Sequence, residues 1–380
     1  MAQAVRVLLD ATAIPADRGG VGRYVDGLIG GFAAGVAAAE GVDLVVVYAP
    51  GDDVLAAAPV ESVAAPSAVT RTPVRFAWEQ TGLALLARTI GADVVHSPHY
   101  TLPVTAPCPV VVTLHDATFF SDPQWHSKVK GPFFRTWTRL AARRAAGIVV
   151  PSAATRDAVA AHVRLDSSRV TVAPHGVDHD LFHPPSASAV AALRQTLGLD
   201  GAYVGFLGTL EPRKNVPALV EGWVRACRDR ADPPALVLAG GRGWDPGIDA
   251  AVAAVPASLQ LIRPGYLDLA DLPALLGGAT VAAYPSLGEG FGLPVLEAMA
   301  SGGAVLTTRR LSLPEVGGEA VAYCEPDPAS IAAGLIDLLD ADTAGLRAAA
   351  LARAAGFTWE RCAADHAAAY RAAARRKGAA

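Results

Sequence analysis

Val281-Ala282-Ala283-Tyr284, followed by Glu289-Gly290-Phe291-Gly292-Leu293-Pro294-Val295-Leu296-Glu297, reads as a strand, a glycine-rich loop and the first turns of a helix. The strand is short, apolar and uncharged, as strands buried on both faces of a parallel sheet are. Pro294 suits a first helical turn, where its missing N–H would have no partner anyway. Gly290 and Gly292 let the backbone approach a ligand closely. The free N–H groups at such a helix start form an anion site suited to phosphate. Two carboxylates flank it: Glu289 precedes the helix, and Glu297 lies about one turn inside, where it can accept from hydroxyls such as those of a ribose. The plain alternative is a glycine turn and a capped helix with solvated glutamates.

The same strand–loop–helix grammar extends in both directions. Strand candidates in the first half are Val5–Leu9, Leu44–Tyr48, Val94–His96, Val110–Leu114, Ile148–Pro151 and Val170–Ala173. In the second half they are Tyr203–Leu207, Leu236–Ala239, Leu259–Ile262, Val281–Tyr284 and Ala304–Thr307. Helical patterns between them complete βαβ units, and the handedness rule makes each half a doubly wound α/β sheet. The turn chemistry of Ala173–Asp178 and the pair Pro184-Pro185 mark the break between halves. The expected organisation is a first domain over 1–175, a second over 180–357, and a terminal amphipathic helix within 358–380. Ligands of such sheets sit beyond the carboxyl ends of strands. The chemistry therefore belongs in the loops that follow strands in both halves, around a cleft.

A chain of 380 residues with 52% hydrophobic residues suits two domains. The formal net charge of −4 argues against a dedicated nucleic-acid binder. Cys108, Cys227, Cys324 and Cys362 are far apart and form no CxxC pair, which fits free thiols in a reducing compartment. No secretory signal and no apolar run of about 18 residues is visible, so a cytoplasmic protein is expected, with surface attachment to membrane left open. From Pro123 to Arg156 there is no acidic residue, while Lys128, Lys130, Arg135, Arg139, Arg143, Arg144 and Arg156 occur. Arg135, Arg139 and Arg143 share one helix face. Phe133, Phe134, Trp137 and Leu140 either insert into an anionic membrane or pack on the sheet.

Other residues carry chemistry by position. Arg213 and Lys214 follow the strand Tyr203–Leu207 and its Gly208-Thr209 turn, and two cations there suit a developing negative charge. The plain alternative is a solvated basic pair. The loop Arg18-Gly19-Gly20-Val21-Gly22-Arg23 can bring backbone N–H groups to a phosphate or an acceptor, although it lacks the GxGxxG spacing. It reads equally as a structural turn. His115 follows the strand Val110–Leu114, and His96 and His99 follow another. His96-Ser97-Pro98-His99 is no zincin motif, because no Glu follows the first His; these two either line a cleft or serve structure. Asp178-His179-Asp180 matches a metal–diphosphate pattern but lies in the connector, and no metal site is assigned.

With these residues in view, the chain resembles the retaining glycosyltransferases of family 4. Glu289-x7-Glu297 with Gly-Phe-Gly-Leu-Pro between looks like the signature of that family. The resemblance includes Gly208–Asn215, Gly265-Tyr266-Leu267, Leu313–Gly317, Gly20–Tyr24, Leu114-His115-Asp116 and Val150-Pro151-Ser152. It implies a GT-B fold: two Rossmann-like domains facing across a cleft, a nucleotide-sugar donor and no obligatory metal or cofactor. It implies Arg213 and Lys214 as diphosphate ligands, with Glu289 and His115 completing a catalytic set. Gly20, Gly22, Gly208, Tyr266, Gly290, Phe291, Gly292, Leu293 and Glu297 are then donor-binding. The acceptor is a hydroxyl of a glycan, a lipid-linked sugar or a small molecule, and the versions of the motifs look like those of bacterial enzymes using GDP-mannose. A nucleotide-sugar epimerase or phosphorylase of the same fold, and a non-catalytic nucleotide-sugar binder, are the alternatives.

Overall fold

The computed structural model describes residues 4–14 and 18–377. The chain divides into two units: one holds it as far as Gly176 and takes it up again at Thr358, and the other is Val177–Phe357.

The first unit is built on strands β1 (Val5–Ala11), β2 (Val42–Tyr48), β3 (Glu61–Ala64), β4 (Val94–Ser97), β5 (Val110–Thr113), β6 (Gly147–Val150) and β7 (Val170–Val172). They lie in the order β3-β2-β1-β4-β5-β6-β7, and every pair is parallel. Alternate residues of each strand enter separate cores, as a strand's period of two requires. Val7, Leu9, Val46, Val94 and Val149 join one core, while Leu8, Val45, Val47, Val95 and Val150 join the other. Burial on both faces explains the unbroken Val-rich runs.

The second unit holds β8 (Tyr203–Leu207), β9 (Ala235–Ala239), β10 (Leu261–Gly265), β11 (Val281–Tyr284), β12 (Val305–Thr308) and β13 (Ala322–Cys324). Their order is β10-β9-β8-β11-β12-β13, again all parallel. Two strands go beyond the sequence reading, β3 and β13. Each is short and ends its sheet, so neither has the continuous buried run that marks a central strand.

The basic stretch forms the helix Lys130–Arg144. Phe134, Trp137 and Leu140 pack against the core around β5 and β6, and Phe133 meets Phe76 edge-on at 5.1 Å. The aromatic side of this helix therefore faces the protein, which removes the reading of aromatic insertion into lipid.

The terminal helix, Trp359–Lys377, packs on the first unit against the helix Gly20–Gly31. Gly27 and Gly31 make the slot for it. A Cβ at Gly31 would stand 2.2 Å from the carbonyl oxygen of Trp359, and one at Gly27 would stand 2.1 Å from its indole. Beneath the slot runs a buried hydrogen-bond chain whose direction can be deduced. The Nδ1–H of His366 donates to the Cys362 carbonyl at 2.7 Å, so Nε2 of the neutral ring accepts from the Tyr24 hydroxyl, also at 2.7 Å. Tyr24 has then used its proton and accepts from Thr113 Oγ1 at 2.9 Å. Thr113 in turn accepts from His96 Nε2–H at 2.8 Å, and His96 Nδ1 accepts from the Tyr370 hydroxyl at 2.8 Å. Burial pushes the His96 imidazole well below its usual range and brings His366 down to about 4. Both rings are thus held neutral, as the chain requires.

His366→Ala leaves the Tyr24 hydroxyl without its acceptor, a loss of about 1–3 kcal/mol in urea unfolding. The gap between wild type and variant should narrow as pH falls from about 6.5 to about 4. In that window the unfolded histidine binds a proton that the folded one refuses, so only the wild type carries this loss of stability. A gap that widens with acid contradicts the neutral chain.

Candidate active site

In the second sheet the strand order reverses between β8 and β11. Loops leaving neighbouring strands at such a point diverge and open a crevice at the carboxyl edge. The loop after β8 runs through Gly208 into the turn Pro212–Lys214, which ends at Asn215 before the helix Val216–Cys227. The loop after β11 runs through Glu289 to the helix Leu293–Ala300. Gly292 sits at φ +106°, a conformation that favours glycine, and a Cβ there would meet Leu313 Cδ2 at 2.9 Å. The two loops are tied together. Leu287 N donates to the Arg213 carbonyl at 2.8 Å, and Asn215 Nδ2 donates to the Pro285 carbonyl at 3.2 Å.

These ties bring three of the expected residues into contact. The Glu289 carboxylate, 5% exposed, accepts from Lys214 Nζ at 2.7 Å through Oε1, and Arg213 pairs with its Oε2. Ser286 Oγ and the Tyr284 hydroxyl donate to the same Oε1 at 2.6 and 3.2 Å. Glu211 Oε1 holds Arg213 Nε from the other side at 2.6 Å. Burial works against ionisation of Glu289, but Arg213, Lys214 and the hydrogen bonds outweigh it and hold the carboxyl at about 2. Burial and the neighbouring Arg213 lower Lys214 from its ordinary range, against the pull of Glu289 and Glu211. Burial and Glu289 keep the Tyr284 phenol protonated, well above its usual range. The site is a preorganised pair of cations whose counter-charges are the internal carboxylates of Glu289 and Glu211.

The other candidates of this unit fall on surrounding elements. Gly290, Phe291 and Leu293 line the passage from loop to helix, and Phe291 meets Phe357 edge-on at 6.0 Å. Ser312 Oγ holds the loop through the carbonyls of Glu289 and Phe291, at 2.7 and 2.8 Å. Glu297 is 3% exposed, within the Leu293–Ala300 helix. Tyr266, at the end of β10, is 64% exposed. Sequence reasoning missed Glu211, Tyr284, Ser286 and Ser312. Only the adjacency of Glu211 to Arg213 was visible in the chain, and the other three matter through contacts across loops.

In the first unit the order reverses between β1 and β4. Gly20 and Gly22 open the helix Gly20–Gly31 after β1; Pro15–Asp17 of the preceding loop lie outside the described residues. Arg18 is held by Asp26 at 3.0 Å and by Asp52. The Nε2–H of His115 donates to the Pro98 carbonyl at 2.7 Å, leaving Nδ1 as an acceptor, and burial lowers the ring's pKa. His96 is a correction to the cleft-lining reading: it is 0% exposed and both ring nitrogens serve the buried chain. His99 packs on Tyr100 and Phe134. Asp178 Oδ1 caps its own turn, accepting from the N–H groups of Asp180 and Leu181 at 3.0 and 3.2 Å. Among the described residues no group of three or more His, Cys, Asp or Glu side chains is placed to hold a metal ion.

Residues 18–181 match the sequence profile of Glycosyltransferase Family 4, and residues 201–341 match that of Glycosyl transferases group 1. The chain is 30% identical over 273 residues to the O-antigen chain mannosyltransferase B of Escherichia coli, across 71% of each protein. This chain belongs to glycosyltransferase family 4. A second relative of this family 4 enzyme is the serotype-specific mannosyltransferase WbdA of Escherichia coli, 33% identical over 180 residues. That match covers 46% of this chain but 22% of WbdA, so the glycosyltransferase described above corresponds to part of that longer protein. Anabaena Alr3699/HepE, solved in complex with UDP-glucose, shares the GT-B fold with a TM-score of 0.74 at 19% identity, over 99% of this chain and 100% of that one.

Glu289→Ala should destabilise this glycosyltransferase by about 3–5 kcal/mol, because it leaves Lys214 buried without its carboxylate. Pyrophosphate should return part of that loss in a urea titration. A variant as stable as wild type, with no response to pyrophosphate, removes Glu289 as the counter-ion.

Proposed function

We propose that this glycosyltransferase transfers a hexose from a nucleotide-sugar donor to an acceptor hydroxyl with retention of anomeric configuration. The observation that carries the proposal is the pair Arg213 and Lys214, drawn onto Glu289 at the strand-order reversal beside the start of the Leu293–Ala300 helix. A departing nucleoside diphosphate gains negative charge as the bond from the anomeric carbon to its phosphate oxygen breaks. Two fixed cations and a helix start aimed at that charge stabilise it at little reorganisation cost. On donor binding the phosphates take over Arg213 and Lys214, and Glu289 turns to a hydroxyl of the sugar.

Retention is supported by the match of residues 18–181 to the family 4 profile. The proposed path is attack from the face that the diphosphate leaves. The acceptor oxygen bonds to the anomeric carbon, and its proton passes to the phosphate oxygen. His115, whose Pro98 bond leaves Nδ1 as an acceptor and whose pKa burial lowers, accepts from a hydroxyl of the acceptor. Gly208 and Gly290 through Leu293 offer backbone to the donor, and Glu297 accepts from its ribose. Tyr266, exposed beside this sheet edge, completes the donor set.

Mannose from GDP-mannose is the proposed donor, supported by the two mannosyltransferase relatives. The UDP-glucose complex of Anabaena Alr3699/HepE supports glucose from UDP-glucose as a second reading. A thermal-shift panel of nucleotide sugars, followed by product analysis, decides between them. The acceptor is a hydroxyl of a glycan, a lipid-linked sugar or a small molecule. The proposed contact with an anionic membrane is electrostatic, because Phe134 and Trp137 of the Lys130–Arg144 helix pack on the core. No helix among the described residues is long and apolar enough to cross a membrane.

Arg213→Ala and Lys214→Ala should each lower kcat by about 10²–10³-fold, the usual cost of one preorganised charge. Turnover near wild type in both removes the pair from catalysis. Transfer should persist in excess chelator. Complete loss, reversed by magnesium or manganese, contradicts the metal-independent path.

A further inference from the structure

A groove of about 770 Å³ lies at the far end of the first sheet, bordered by Arg139, Arg143, His162, Arg164 and Arg169. It is formed where the Lys130–Arg144 helix runs down to the start of β6 and where residues 162–169 lead into β7. Those are the amino ends of the strands. The loops bearing Gly22 and His115 leave from the carboxyl ends, at the opposite edge of the same parallel sheet. The groove is therefore separate from the loops assigned to transfer, and its reading does not rest on theirs.

Several of its cations are held in place. Arg169 donates to the carbonyls of Ala145 and Ala142 at 2.9 and 3.0 Å, capping the helix end. Phe120 is a platform for two side chains of the groove: Arg139 lies 5.1 Å over its ring, and His162 stacks on it at 5.1 Å and 9°. Arg143 and Arg164 are exposed and make no ion pair among the described residues. One carboxylate, Asp166, borders the groove, but it is committed to Arg169 at 3.2 Å and to Ser168 N and Oγ at 3.0 and 2.8 Å. Arg376 adds a further guanidinium at the rim, donating to the Ser168 carbonyl at 2.9 Å.

A chain of net charge −4 thus gathers a concave, guanidinium-rich surface. Guanidinium forks match phosphate oxygens two at a time. Arg139 and Arg143, one helical turn apart, present Cβ atoms about 5–6 Å from each other, a spacing that suits adjacent phosphate groups. We propose that this groove binds an anion bearing at least two phosphate groups, either a soluble phosphate ester or the headgroups of anionic lipid.

Amide hydrogen exchange on the full chain at low salt, with tripolyphosphate as probe, tests it. Protection is expected across 139–146 and 162–169. The double variant Arg143→Gln/Arg164→Gln should weaken binding there by about tenfold or more while keeping its circular dichroism and its transferase turnover. Protection at the groove is read apart from any change at 208–216 and 286–297, so failure of one site does not conceal failure of the other. Phosphatidylglycerol vesicles that protect the same segments, in competition with tripolyphosphate, identify lipid headgroups as the source. Vesicles without effect identify a soluble ester. No protection at the groove in wild type, or equal protection in the double variant, overturns the proposal.

Discussion

The carboxylate of Glu289, buried between Lys214 and Arg213, is the interaction on which the second unit's chemistry depends. A buried carboxylate and a buried ammonium are each costly alone, and each becomes tolerable through the other. Ser286 and Tyr284 add donors on the same oxygen, so the carboxyl stays ionised against its own burial. The arrangement keeps two cations aligned at a sheet edge without collapse or repulsion. In the proposed reaction they are exchangeable, because a diphosphate offers more negative charge and more acceptor oxygens than one carboxylate. Preorganisation of this kind stabilises charge as it develops. The fold contributes the position, because neighbouring strands whose connections diverge leave room for a ligand there.

The first unit solves a different problem with the same economy of groups. Its terminal helix must dock on a sheet from which it is remote in sequence. Gly27 and Gly31 admit Trp359, and the one-way hydrogen-bond chain from Tyr370 to the Cys362 carbonyl sets the register. Tyr24, a member of that chain, also lies edge-on to His115 at 5.1 Å. Docking of the helix and placement of His115 are therefore linked through one ring. The direction of the chain rests on neutral imidazoles, since a second proton on His96 or His366 would turn an accepting nitrogen into a donor and displace the hydrogen that Tyr370 or Tyr24 gives it.

Much of the fold was legible because central parallel strands are apolar on both faces and leave unbroken runs such as Val110–Thr113. β3 and β13 were not, since Glu61–Ala64 and Ala322–Cys324 are short, partly exposed and without an unbroken apolar run of β-branched residues. Arg213, Lys214 and Glu289 stood out by residue type and by their place after strands. Glu211, Tyr284, Ser286 and Ser312 did not, because each acts through a contact that exists only once two loops meet. His96 shows the converse. A histidine ending a strand resembles a site residue, yet its neighbours His366 and Tyr370 are more than 200 positions away in the sequence and make it structural. The basic helix was ambiguous for a related reason: spacing tells which residues share a face, not which face meets the core.

The central claim is that a diphosphate replaces Glu289 on Arg213 and Lys214. A crystal structure with a bound nucleoside diphosphate measures this directly. The account expects phosphate oxygens about 2.7–2.9 Å from Arg213 and Lys214, with the Glu289 carboxylate turned away from Nζ. A diphosphate bound elsewhere, with Lys214 still on Glu289, contradicts it.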